Sequence, residues 1–248
     1  VAKNPNTPID VLTTLSKDKE RYVRESVALN PFTPKDVLID LSKDLFLYAR
    51  AGVAYNPSTP LETLVKLSKD KDFEVRKGVS LNPYTPQEIL IELSKDENEY
   101  VRASAIKNID LTNEISITLS KSEYSDVKEF VAKNPNTSSK ILKELKEIIV
   151  NEDETLLRNK IELNFLIAKH PNTPKDVLLE LSKSEYSEIR GGFAQNPTTP
   201  IEILSSLSKD EDFEVRKGVA LNPNTPIEIL QVLSKDNDKY VREGVAEN

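Results

Sequence analysis

Residues 56–81 read NPSTPLETLVKLSKDKDFEVRKGVSL, and this frame recurs through the whole chain. With Asn56 as position 1, the Asn-Pro start or its relic stands at Asn4, Asn30, Asn56, Asn82, Asn108, Asn134, His170, Asn196, Asn222 and Asn248. Every interval is 26 residues except Asn134 to His170, which is 36. A fixed period of this length is the signature of a solenoid, in which each unit buries its apolar face only against its neighbours.

Two short helices are predicted per unit. Thr59 suits an N-cap, Pro60 the first helical position and Glu62 the third, which together make a capping box with a proline start. Leu64 and Leu67 then share one face of the first helix. After Ser68-Lys69-Asp70, residues Val75, Val79 and Ser80 recur at helical spacing on a second helix, α or partly 3₁₀, which Asn82-Pro83 ends. All fifteen prolines fall at the second or fifth position of a repeat, and all six glycines fall inside the second helix. A mid-helix glycine costs about 1 kcal/mol relative to alanine. Two readings account for its recurrence: close approach of stacked backbones, or an irregular second helix.

Composition bounds the function. The repeat makes residues 1–248 one array, regular over 4–107 and 170–248 and degenerate over 108–169. It starts and stops in the same phase without polar capping repeats, so a piece of a longer protein is expected. The net charge of −7 argues against tracking a phosphate backbone, and no apolar run approaches a membrane span. With no cysteine, disulfides, thiolate metal sites and a Cys nucleophile are excluded. A cytoplasmic location is the weakly supported expectation over an extracellular one.

Two polar columns accompany the apolar ones. Arginine recurs as Arg24, Arg50, Arg76, Arg102, Arg190, Arg216 and Arg242, with an aspartate six residues earlier in most units, as at Asp18, Asp44 and Asp70. The aspartate is expected to cap the second helix, and the arginine to return to that carboxylate or to a neighbouring repeat's carbonyls. Asn30, Asn56 and Asn82 represent the asparagine column, expected to satisfy backbone groups in the tight connection. Both columns read as structural ladders.

The run Val23-Arg24…Val27-Ala28-Leu29-Asn30-Pro31…Thr33-Pro34…Val37-Leu38…Leu41-Ser42-Lys43-Asp44 resembles the leucine-rich repeat variant family. The resemblance covers essentially the whole chain. It implies an all-α fold: an α-helix paired with a shorter α or 3₁₀ helix, stacked into a right-handed α-solenoid superhelix of HEAT- or armadillo-like general architecture. The β-lined horseshoe of ordinary leucine-rich repeats is not implied. The family carries no general catalytic activity across, and an attached cysteine-ligated iron–sulfur module is impossible without cysteine.

Comparing repeats with one another locates the departures. In 108–133, Ile109 and Thr112 replace the two prolines, Ser116 the core leucine and Lys128 the arginine. The next unit holds the ten-residue insertion, with longer apolar periodicity through Ile141, Leu142, Leu145, Ile148 and Ile149, a turn at Asn151-Glu152-Asp153-Glu154, then Leu156, Leu157, Ile161, Leu163 and Phe165. Lengthened helices are expected there, as drift or as a docking site or hinge. Aromatics at positions 17–19, such as Tyr22, Tyr48, Phe73 and Tyr100, are read as structural. Phe32, Tyr55 and Tyr84 stand where other repeats carry mostly Asn, Thr, Lys or Leu, and stacking would space them at roughly 10 Å along one edge. They are the candidate protein-binding row, with Phe46 adding apolar weight on the opposite edge.

No Gly-rich phosphate loop or metal-ligand spacing appears, and His170 replaces an asparagine of the ladder. No catalytic residue, metal or cofactor is expected. The leading expectation is a non-enzymatic scaffold that binds a protein or peptide. Alternatives are anion or nucleic-acid binding along Lys17, Lys43, Lys69, Lys95, Lys121, Lys183, Lys209 and Lys235, or a spacer that self-associates.

Overall fold

The structure is a computed structural model and describes residues 2, 4–150 and 157–248. Among these residues there are eighteen α-helices and no strand, in two compact units, 1–110 and 111–248. The first unit holds α1 (Ile9–Leu15), α2 (Arg21–Ala28), α3 (Lys35–Leu41), α4 (Leu47–Tyr55), α5 (Leu61–Leu67), α6 (Phe73–Leu81), α7 (Gln87–Leu93) and α8 (Glu99–Asn108). The second holds α9 (Asn113–Ser120), α10 (Ser125–Lys133), α11 (Ser139–Val150), α12 (Leu157–Lys169), α13 (Lys175–Leu181), α14 (Ser187–Gln195), α15 (Ile201–Leu207), α16 (Phe213–Leu221), α17 (Ile227–Leu233) and α18 (Lys239–Glu247). Each repeat is thus a pair of helices, both of them α. The 3₁₀ segment expected in one of the pair is not found among the described residues. No helix there is long and apolar enough to cross a membrane.

The predicted capping box does not form. Pro60 precedes the first helical turn, and its carbonyl accepts from the Leu64 amide at 3.1 Å. The Thr59 hydroxyl turns the other way and donates to the Val53 carbonyl at 2.6 Å, inside the preceding helix end. The same bond recurs at Thr33, Thr85, Thr137, Thr173, Thr199 and Thr225. The reason is burial: the carbonyl three residues before each of these ladder positions already accepts the ladder residue's amide, and with little access to water its remaining lone pair takes the nearby hydroxyl. Where proline is lost, Thr112 does cap, accepting from the Ile115 amide.

The core is a set of columns. In the first unit Leu12, Leu38, Leu64 and Leu90 come from the first helices, and Val27, Val53 and Val79 from the second. In the second unit Leu142, Leu178 and Leu204 face Ile167, Phe193 and Val219. Glycine serves close stacking, not irregularity. A Cβ on Gly78 would sit 2.8 Å from the Ala54 Cβ of the preceding repeat, and every glycine keeps negative φ. The second helices therefore approach more closely than a side chain at that position permits.

The insertion lengthens both helices of its repeat, to 12 residues in α11 and 13 in α12, as the apolar pattern requires. The turn expected at Asn151-Glu152-Asp153-Glu154, and Leu156, lie outside the described residues. Ion pairs tie α11 to α13: Lys143 to Asp176 at 2.7 Å and Lys146 to Glu180 at 2.8 Å.

Candidate functional site

Asparagine and arginine do the linking between repeats. Asn56 donates from Nδ2 to the carbonyls of Ala28 and Asn30, both at 2.7 Å, and accepts the Ser58 amide on Oδ1. Asn30 and Asn82 make the same three bonds. Each is buried, and each satisfies the carbonyls 26 and 28 residues before it, on either side of the start of the preceding repeat.

The arginine pairing runs opposite to the expected direction. Arg24 donates from Nε and Nη2 to Asp44 of the next repeat, while Nη1 reaches the Asp18 carbonyl of its own. Arg50 grips Asp70 and Asp72, Arg76 grips Asp96, and Arg216 grips Asp236. Arg190 holds Asp210 by a single bond of 3.3 Å. Arg102 and Arg242 reach their own repeats' carbonyls, at Asp96 and Asp236. The aspartates do not cap the helix directly. Asp44, for example, accepts the amide of Phe46, the residue that precedes α4. The sequence spacing is the same whichever repeat supplies the carboxylate, so only stacking reveals the partner. The hydrogen bond from Arg24 holds the Asp44 carboxyl below its ordinary value, and Arg216 does the same to Asp236.

The candidate binding residues separate by exposure. Phe32 and Tyr84 are well exposed, but Tyr55 departs from the expected row. It is half-buried beside Gly78 of the next repeat, and burial pushes its phenol upward. Phe46 belongs to a different cluster. Its ring meets Tyr22 and Tyr48 edge-on, each at 5.4 Å, and the Arg21 guanidinium lies 5.0 Å from both the Tyr22 and Phe46 rings. Leu45 beside it is 99% exposed. Tyr22, Tyr48, Tyr100 and Tyr240 are also exposed, while the column packs ring on ring between repeats, Tyr100 on Phe73 at 6.4 Å and Tyr240 on Phe213 at 6.0 Å. The sequence did carry a signal for Leu45. Its equivalents are charged or polar: Lys19, Lys71, Glu97, Glu123, Glu185, Glu211 and Asn237.

The eight lysines of the proposed basic stripe are all exposed. His170 is buried and keeps the ladder position. Its Nε2 lies 2.9 Å from the Asn134 carbonyl, and its Nδ1 accepts the Asn172 amide at 3.0 Å. Those partners place the proton on Nε2, an amide-like arrangement with one donor where asparagine offers two.

Among solved structures, a leucine-rich repeat variant with a novel repetitive protein structural motif superposes with a TM-score of 0.61 over 93% of this chain and 87% of that one, at 22% identity. An engineered protein superposes with a TM-score of 0.36 over 99% of this chain and 92% of that one, at 18% identity. No protein-family model matches the chain, and no curated protein does. The chain has the all-α fold of stacked helix repeats seen in the leucine-rich repeat variant structure.

Proposed function

We propose that this chain is a non-enzymatic protein-binding scaffold whose contact surface in the first unit centres on Tyr22, Leu45, Phe46 and Tyr48, with Phe32 and Tyr84 as a second exposed set. The observation that carries this reading is Leu45. It is an aliphatic side chain, 99% exposed, adjacent in sequence to Phe46, whose ring meets Tyr22, at a position where other repeats carry charged or polar residues. Apolar anchors ringed by polar residues suit partner hot spots. A nuclease-treated pull-down with the chain and with a Tyr22/Leu45/Phe46/Tyr48→Ser variant tests the reading by mass spectrometry. A protein retained by the first bait and lost by the second supports it. Identical captures by both baits count against this surface.

The exposed lysine column favours anion binding as a second reading. Labelled DNA or RNA shifted at low salt and released at high salt would support it. No shift at low salt would remove it.

A further inference from the structure

The insertion does more than lengthen two helices. In α12 the side chains of Leu157, Ile161 and Phe165 recur every four residues along one flank. That flank faces α14 and α16 across a cavity of about 650 Å³. The volume falls within the few-hundred to roughly 1,000 Å³ typical of ligand sites. The α14 wall contributes Gly191, at a position where Glu25, Lys77, Glu129, Lys217 and Glu243 carry long side chains and Ala51 and Ala103 a methyl group. A Cβ on Gly191 would lie 2.9 Å from the Glu214 carbonyl oxygen, so the close approach of α14 and α16 requires a residue without one. That residue also leaves the groove without a side chain at this point.

Charge gives the groove a preference. Glu162, Glu188 and Glu214 line it against Arg158, with the Lys169 ammonium 5.9 Å from the Phe165 ring centre. None of the three carboxylates takes part in an ion pair among the described residues, whereas Lys143 and Lys146 on nearby α11 are both engaged. An inorganic cation does not match the surroundings, because no set of three or more acidic or histidine side chains converges closely enough to hold one among the described residues. The apolar flank favours a cation on an alkyl stem, which lays methylenes on Leu157, Ile161 and Phe165 and delivers its charge to the rim. We infer that this groove binds a partner peptide carrying lysine or arginine between apolar residues. The site lies wholly in the second unit and does not depend on the Leu45 surface.

Selection of phage-displayed dodecapeptides on the immobilised chain, followed by fluorescence polarisation with the enriched peptide, tests this. The expected result is enrichment of Arg or Lys flanked by apolar residues. Glu162→Gln/Glu188→Gln/Glu214→Gln then weakens binding by about tenfold or more while the unfolding midpoint stays unchanged. Ile161→Asp, in the apolar flank, also weakens it. Enrichment of acidic or uncharged peptides overturns the inference. So does a basic peptide that binds the triple variant as tightly as the parent. A peptide lost only with Leu45→Lys assigns binding to the first unit and overturns the groove.

Discussion

Arg50 and Asn164 stand at the same place in two repeats, six residues before Asn56 and His170. Arg50 is buried, donates to both Asp70 and Asp72, and reaches the Asp44 carbonyl. Asn164 donates to Lys160 of its own helix, and its Oδ1 is buried with no partner. The residue that would answer it is changed as well. Ser184 stands where Asp70 does and still accepts the amide two residues on, from Tyr186, but brings no carboxylate. Both ends of the ion link are therefore gone, and no charge is left buried and unpaired. The threonine bond and the ladder position survive, through Thr173 and His170. Stacking thus rests on the core columns and the backbone-satisfying side chains, while the ion link can lapse. The insertion and its groove occur where it has lapsed.

The largest effects should fall on the regular side of this comparison. Arg50→Ala leaves Asp70 partly buried and uncompensated, and should cost about 3–5 kcal/mol in urea unfolding. Asn164→Ala should cost under about 1 kcal/mol. Equal losses would break the comparison. Leu67→Ala, a buried truncation in α5, should cost about 2–5 kcal/mol, and a near-neutral result would show that the inward face of the first helix is misassigned.

Acid should separate the regions further. Asp44, Asp70, Asp96 and Asp236 are all held below the ordinary value of 3.8. For Asp70 and Asp96 burial pulls upward, and the hydrogen bonds from Arg50 and Arg76 outweigh it together with backbone amides and nearby cations. A carboxylate depressed in the folded state contributes stability that is fully present above its ordinary value. That stability is lost as pH falls through the depressed one. Unfolding midpoints should therefore drop below about pH 4, and Asp44→Asn should flatten that drop. An unchanged slope in Asp44→Asn would remove Asp44 from the account.

Much of this architecture was legible in the sequence, because period, helix pairing and inward columns are all properties of one repeat. The 26-residue spacing and the Leu64/Leu67 pattern suffice for the helices. Properties of stacking were not legible. An arginine column and an aspartate column with a common period do not reveal which repeat pairs with which, so Arg24 was expected to turn back to its own repeat or a carbonyl instead of reaching Asp44. Thr59 looked like a cap because burial of the preceding carbonyls is invisible until the helices are packed. The exposure of Tyr55 and Tyr48 was not legible for the same reason: one falls against Gly78, the other at an open helix start. The groove depends on Gly191 facing an α12 lengthened by the insertion, a juxtaposition that no single repeat contains.

A smaller effect sharpens the comparison. Asn164→Arg with Ser184→Asp should rebuild the missing link, with a favourable coupling of about 1 kcal/mol in a double-mutant cycle. Absence of coupling would mean that the lengthened α12 no longer brings the two positions together. His170→Asn should change stability by no more than about 1 kcal/mol, read by the same unfolding assay.

The most direct test of the central claim, that regular residues hold the stack while deviating ones bind, is Leu45→Lys measured for both unfolding and partner retention. The account predicts an unfolding midpoint within about 0.5 kcal/mol of the parent, as for an exposed side chain, together with loss of the protein retained by the parent chain. A fall of about 2 kcal/mol or more, in the range of a core truncation, with the partner still retained, would contradict it.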